Sequence, residues 1–203
     1  MKIVIFGAGR TGRALANALT ANKYSVTILE EKREVCDEVA GETNATVICG
    51  DATDPELLEE LELDKADYVF AVTGNEETNF LVSVYAKHVN ATIVISSASE
   101  ARYSHLMEKL GVEPMIPELT LARELANKVI NPTISAMLDP NESKIEMREK
   151  KVDKGMEGKT VAEVNEKNKY TIVSVHAEGK FIFPNNKFAL KEGMKIVTVK
   201  HNV

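Results

Sequence analysis

Where the apolar run Ile3-Val4-Ile5-Phe6 gives way to a helical pattern that starts near Arg10, the chain reads Gly7-Ala8-Gly9-Arg10-Thr11-Gly12. A G-x-G-x-x-G spacing at a strand-to-helix junction has few structural uses. Gly7 permits a tight turn, Gly9 lets a pyrophosphate approach the backbone, and Gly12 lets the helix sit close to the strand. The start of the helix then offers unpaired N–H groups to phosphate.

The flanking rhythm fits such a loop. Further apolar runs follow at Val26-Thr27-Ile28-Leu29, Thr46-Val47-Ile48, Tyr68-Val69-Phe70-Ala71-Val72 and Ile93-Val94-Ile95. They are rich in β-branched residues and apolar on both faces, as parallel strands covered on both sides must be. Helical patterns begin near Arg10, Lys32, Pro55, Glu76 and Glu100, with Asp54, Asn75 and Ser99 as N-caps and Gly111 as a left-handed C-cap. This βαβ alternation predicts an α/β fold, a Rossmann-like doubly wound parallel sheet.

A helix over 117–131, ending at Asn131-Pro132, carries Leu119, Leu121, Ala122, Leu125, Ala126, Val129 and Ile130. So broad an apolar stripe either serves two partners or buries against its own sheet. Residues 132–140 read as a linker. The rest, 141–203, changes style and predicts a small α+β domain. It has an exposed strand from Ile145 to Val152, a short helix at Thr160–Val164 and a strand over Tyr170–His176. A Glu178-Gly179 turn leads into Lys180-Phe181-Ile182, and a last strand covers Lys195–Lys200. A domain this small needs dimerisation or docking for stability.

Ligands of open α/β sheets sit beyond the carboxyl ends of the strands. The candidate binding residues are therefore the glycine loop (Gly7, Ala8, Gly9, Arg10, Thr11, Gly12) and Glu30, Asp51, Ala52, Thr53, Thr73, Gly74, Asn75 and Ala98. Glu30 lies 18 residues after Gly12 (30 − 12), where a carboxylate accepts hydrogen bonds from ribose hydroxyls and repels a 2′-phosphate, so NADP is disfavoured. Asp51 either contacts the adenine side or makes a local turn hydrogen bond. Arg10 either reaches a terminal phosphate, in its own or a neighbouring subunit, or points to solvent. Arg102 and Lys32 are weaker phosphate candidates.

Chemistry that would use a bound nucleotide is missing from the sequence. None of His88, His105, His176 and His201 falls in a strand-end loop of the sheet, and no nucleophile triad, metal cluster or P-loop is evident. The expectation is a binding module rather than an enzyme. A small NAD-dependent oxidoreductase and a stand-alone nucleotide sensor are the alternatives. A net charge of −6, with −9 carried by residues 1–131 and +3 by 132–203, argues against nucleic acid as a partner. Two cysteines, Cys36 and Cys49, make no disulfide scaffold in a chain of 203 residues and read as packing thiols. Without a signal peptide or an apolar run of spanning length, the expected location is cytoplasmic, at the inner face of the membrane only through a partner.

The chain resembles the RCK (regulator of potassium conductance) proteins of the Trk/Ktr type. The likeness is carried by the Gly7–Gly12 loop, Glu30, Gly50-Asp51-Ala52-Thr53, Val72-Thr73-Gly74-Asn75 with Asn79, Leu110-Gly111-Val112 and Ile116-Pro117-Glu118. In the small domain, Gly158-Lys159-Thr160-Val161-Ala162-Glu163-Val164, Ile182-Phe183-Pro184 and Leu190-Lys191-Glu192-Gly193 resemble the family's C-terminal domain. The resemblance implies that the first domain binds NAD(H) or ATP/ADP. It also implies that subunits dimerise through the helix after Glu118 and build a tetrameric or octameric ring on a membrane-embedded potassium transporter or channel, which nucleotide exchange gates. By the same likeness Arg10 faces an ATP γ-phosphate and Glu118 holds a divalent cation at the subunit interface. The sequence departs from the family in two places. Glu30 stands where Asp is common, and Ser97-Ala98-Ser99 replaces an arginine that follows the fifth strand in many members.

Overall fold

In β1 (Lys2–Phe6), Ile3 and Ile5 face one side of a sheet and Val4 and Phe6 the other, and all four are at most 1% exposed. Alternate residues of one strand point to opposite faces, so a strand buried throughout needs a layer on each side. One layer contains α1 (Arg10–Ala21) and α2 (Arg33–Glu42), whose Ala16 and Val39 pack on Ile3, Ile5 and Ile28. The other contains α3 (Pro55–Glu60), α4 (Glu76–His88) and α5 (Ala101–Lys109). Their Leu58, Val82 and Met107 pack with Val4, Phe6 and Val69.

The computed structural model describes residues 1–99, 101–138 and 145–201, with residues 101, 102 and 201 described by backbone alone. The parallel sheet also contains β2 (Ser25–Glu30), β3 (Thr46–Cys49), β4 (Tyr68–Ala71), β5 (Ile93–Ser97) and β6 (Glu113–Met115). The strand order is β3-β2-β1-β4-β5-β6, all parallel. The order reverses beside β1, which opens a crevice at its carboxyl end. β6 is not among the strands expected from sequence. It has three residues and contains Pro114, which only a sheet edge tolerates.

The helix signals act as the chemistry requires. Asp54 caps α3 by accepting from the Glu56 N–H, and Asn75 caps α4 by accepting from the Thr78 N–H. Gly111 is left-handed, with φ +74°. Ser99 departs from its expected role as a cap: its N–H and hydroxyl both donate to the Glu76 carboxylate. Arg102 lies outside the described side chains.

The cysteine expectation is corrected. Cys36 and Cys49 form a disulfide, with Cα atoms 5.9 Å apart. The β2–α2–β3 crossover returns beside β2 and so sets the first turn of α2 against the end of β3, within bridging distance.

Two compact units divide between Arg123 and Glu124, inside α6 (Pro117–Ile130). No residue of α6 is buried, so of its two readings the one that covers it with its own sheet does not hold within one chain. Residues 132–138, expected as linker, form helix α7 (Pro132–Leu138), with Pro132 at a first-turn position that needs no N–H donor. Residues 139–140 lie outside the described part. The second unit holds a four-stranded antiparallel sheet of order β7-β10-β8-β9. Its strands are β7 (Ile145–Lys151), β8 (Thr171–Ala177), β9 (Lys180–Ile182) and β10 (Lys195–His201). Helix α8 (Val161–Lys167) covers it around a small core of Val152, Val161, Val164, Ile172, Val175, Leu190 and Ile196. Positive φ at Glu178 (51°) and Gly179 (75°) makes the expected tight hairpin.

Candidate nucleotide-binding site

The three loop glycines have three different steric reasons. A Cβ on Gly7 would lie 2.8 Å from Thr73 Cα and 2.9 Å from Val72 O, and its φ is +100°. The turn leaving β1 therefore runs against the turn leaving β4 with no room for a side chain. A Cβ on Gly12 would lie 2.0 Å from Gly7 O, so α1 reaches its strand only because residue 12 has none. Gly9 meets nothing within 4 Å: a methyl there would stand in open space above the loop. That space is what an approaching phosphate needs.

α1 begins at Gly9 with no side-chain cap and no acid in its first turn. Its first amides and the positive end of its dipole are thus left for an anion. Arg10 is exposed, and its guanidinium has no partner among the described residues. Arg13 is occupied instead. Its Nε donates to Ala8 O at 3.0 Å, and its terminal nitrogens hold Glu38 at 2.7 Å and Glu42 at 3.0 Å. The bond to Glu38 holds the guanidinium firmly in its charged form. Arg13 thereby ties the glycine loop to α2, a connection absent from the sequence reading because both acids lie a helix away.

Glu30 ends β2. Its Oε2 accepts from Ala8 N–H at 2.8 Å and its Oε1 from Lys32 N–H at 3.0 Å. Each carboxylate oxygen keeps further lone-pair capacity, as ribose hydroxyls would require. Asp51 makes the local turn bond of its two readings. Its Oδ1 accepts from both the N–H and the hydroxyl of Thr53, each at 2.7 Å, which lowers its pKa from the ordinary carboxylate value. Thr53 is thus spent on Asp51. On the other side, Asn79 is 2% exposed and fixes the turn after β4. Its Oδ1 accepts from the Thr73 N–H and hydroxyl, while its Nδ2 donates to Thr73 O and Ser97 O.

These turns enclose a cavity of about 700 Å³ at the carboxyl ends of β1, β2, β3 and β4. A cavity of that size suits a nucleotide. Of the residues singled out from sequence, Gly7, Ala8, Gly9, Arg10, Glu30, Asp51, Ala52, Thr73, Gly74 and Asn75 line it. Thr11, Gly12, Thr53 and Ala98 do not. Gly12 underlies the loop, Thr53 supports Asp51, and Ala98 is buried with its N–H on Met115 O. Lys32, the weaker phosphate candidate, lines it too, and the cavity adds Arg13, Leu29, Glu31, Val35, Gly50 and Thr78. The sequence signal for Glu31 was its place at a strand end. Val35 needed the position of α2, which no local pattern supplies. Two charge zones result: the uncapped helix start with Arg10 at one end, and Glu30, Glu31 and Asp51 along the other strand ends.

No histidine lines this cavity, and no group of three or more His, Cys, Asp or Glu among the described residues could hold a metal. Glu118 stands exposed in the first turn of α6. Among the described residues no helix is long and apolar enough to cross a membrane.

Residues 3–118 match the TrkA-N domain family. The Trk system potassium uptake protein TrkA homolog of Methanothermobacter thermautotrophicus is 33% identical over 202 residues, covering 97% of this chain and 92% of that one. The crystal structure of the GsuK RCK domain superposes with a TM-score of 0.52 at 20% identity, over 98% of this chain and 44% of that chain. The Shewanella denitrificans Kef C-terminal domain, in an AMP-bound form, gives a TM-score of 0.55 at 21% identity, over 66% and 86% of the two chains. At such identities the two structures speak for the fold alone. The family match spans more than half of the sequence, and the methanogen relative aligns along nearly its whole length, so the chain belongs to the TrkA-N family of Trk potassium-uptake proteins.

Proposed function

We propose that this protein is a nucleotide-responsive regulatory subunit of a potassium-transport system, acting by binding NAD(H) or ATP/ADP rather than by turning a substrate over. The observation that carries the reading is the cavity itself. An uncapped helix start, open space above Gly9 and an acid with spare acceptor capacity at the end of β2 converge on one crevice. The phosphates would lie on the amides of α1, the ribose on Glu30, and the base between the ends of β2 and β3. Glu30 and Glu31 together disfavour a 2′-phosphate.

Binding regulates only if the ligand prefers one state of the assembly, and a tenfold preference is worth about 1.4 kcal/mol. Arg10, exposed and without a partner among the described residues, is the residue we assign to the terminal phosphate and so to discrimination between ATP and ADP. In this proposal α6 dimerises the chain, Glu118 contributes to a divalent-cation site completed by a second subunit, and the dimers build a ring on a membrane-embedded transporter or channel. The chain would then sit in the cytoplasm at the inner face of the membrane.

The test is potassium flux through the co-purified membrane subunit in proteoliposomes, with and without each nucleotide. A flux that responds to nucleotide with the wild type, and whose ATP-to-ADP response ratio falls about tenfold or more with Arg10→Ala, supports the reading. A flux indifferent to every nucleotide overturns it. An unchanged ratio removes Arg10 from the role.

A further inference from the structure

Cys36 and Cys49 lie just outside the cavity, on the two walls that hold its acidic end. Cys36 is in the first turn of α2, and its Sγ sits 3.3 Å from Glu30 O. Cys49 is the last residue of β3 and pairs in register with Glu30. Its Sγ is 3.9 Å from Glu31 O, and the next residue, Gly50, donates its N–H to Glu30 O at 2.9 Å. The bridge spans a sequence separation of 13 and encloses neither glycine loop nor catalytic group. What it ties together is the start of α2, whose Lys32 N–H holds Glu30 Oε1, and the Gly50-Asp51 turn. Cys36 is 4% exposed, whereas Cys49 is only partly buried and is the sulfur an outside reagent can reach.

We propose that Cys36 and Cys49 are a reversible dithiol–disulfide site whose state sets the nucleotide affinity of this cavity. The proposal rests on the nucleotide reading of the cavity given above. In the oxidised form the two walls are fixed and the Glu30 carboxylate is pre-oriented, so binding has less ordering to impose and is tighter. In the reduced form the sulfurs separate to van der Waals contact, and the start of α2 moves independently of the turn after β3. The oxidant is a low-molecular-weight disulfide, R–S–S–R. The Cys49 thiolate attacks one of its sulfurs, breaks the S–S bond and releases one R–S⁻, leaving a mixed disulfide. The Cys36 thiolate then attacks the Cys49 sulfur and releases the second R–S⁻. Two electrons pass from the protein to the oxidant, and the two protons of the protein thiols leave on the two R–SH products. A small dithiol reverses both steps.

The full-length chain, oxidised with hydroxyethyl disulfide or reduced with dithiothreitol, is titrated calorimetrically with NADH and with ADP, and its free thiols are counted by alkylation and mass. The expected result is loss and recovery of two alkylatable thiols. The oxidised form should bind the preferred nucleotide at least about five-fold more tightly, a difference lost in Cys36→Ser/Cys49→Ser. Cys49→Ser alone serves the same purpose if the double variant does not fold. Equal affinity in both states, a difference that survives in the variant, or thiols that never exchange each overturn the proposal while the cavity reading stands. Binding of neither nucleotide in either state overturns the cavity reading and the proposal with it.

Discussion

At the residue scale the glycine loop separates folding from binding. Gly12→Ala forces a methyl to within 2.0 Å of Gly7 O, so α1 must move from its strand. The expected cost is about 1–3 kcal/mol, with loss of nucleotide binding. Gly9→Ala meets no atom within 4 Å and sits at an ordinary φ of −67°. Its stability should stay within about 1 kcal/mol of wild type, while its methyl occupies the phosphate space and abolishes binding. Urea denaturation and calorimetry on the two variants check both halves, and a Gly9→Ala protein that binds normally would show that no phosphate sits there. The loop was legible because a glycine's steric demand is local. Arg13, clamped between Ala8 O, Glu38 and Glu42, was not, because its partners lie on another helix. Asn79 was visible only as part of a family pattern. Its reason, four hydrogen bonds to Thr73 and Ser97 from a buried amide, is set by the packing of α4 against β4 and β5.

At the element scale, strands buried on both faces announce themselves by unbroken apolar runs, and capped helices by their first residues. Both kinds were read from sequence. β6 escaped because a three-residue edge strand containing proline has no such run. α7 escaped because Pro and Asp on either side of Thr133–Leu138 look like a linker when tertiary context is absent. The disulfide escaped because the nearness of Cys36 to Cys49 is a property of the β2–α2–β3 crossover and not of their spacing. In the second unit, α8 has a full capping box: Thr160 accepts from the Glu163 N–H, and Glu163 accepts from the Thr160 N–H and hydroxyl. Thr160→Ala should lower the stability of this unit by about 0.5–2 kcal/mol, read by thermal melting. The same Thr160 donors hold the Glu163 carboxyl below its ordinary pKa. A depressed carboxylate adds stability that is fully present above its unfolded pKa and fades as pH falls through the lower folded value. The difference between wild type and Thr160→Ala should therefore shrink on acidification below the ordinary carboxylate range. A difference that stays constant on acidification well below that range would contradict the capping-box account.

At the scale of the whole molecule, α6 buries no residue against the described part of the chain. Leu121, Leu125 and Val129 form one stripe four residues apart, and Leu119, Ala122, Ala126 and Ile130 form another; Val129 is 82% exposed and Ile130 71%. Burying a leucine of this kind is worth about 1.5–3 kcal/mol, so two stripes favour association of chains over a solvated helix. The wild type is expected to sediment as a dimer or larger. Leu121→Glu with Leu125→Glu should sediment as a monomer with the first unit still folded by circular dichroism. A monomeric wild type would remove α6 as the dimer contact.

The central claim is that the crevice at the carboxyl ends of β1, β2 and β3 selects a nucleotide without a 2′-phosphate. Isothermal titration of the purified protein with NADH, NAD, ADP, ATP and NADPH, with and without a divalent cation, tests it directly. The account predicts saturable binding of at least one of the first four and NADPH weaker by about tenfold or more, a difference of about 1.4 kcal/mol. No binding of any of them, or NADPH bound as tightly as NADH, would contradict it.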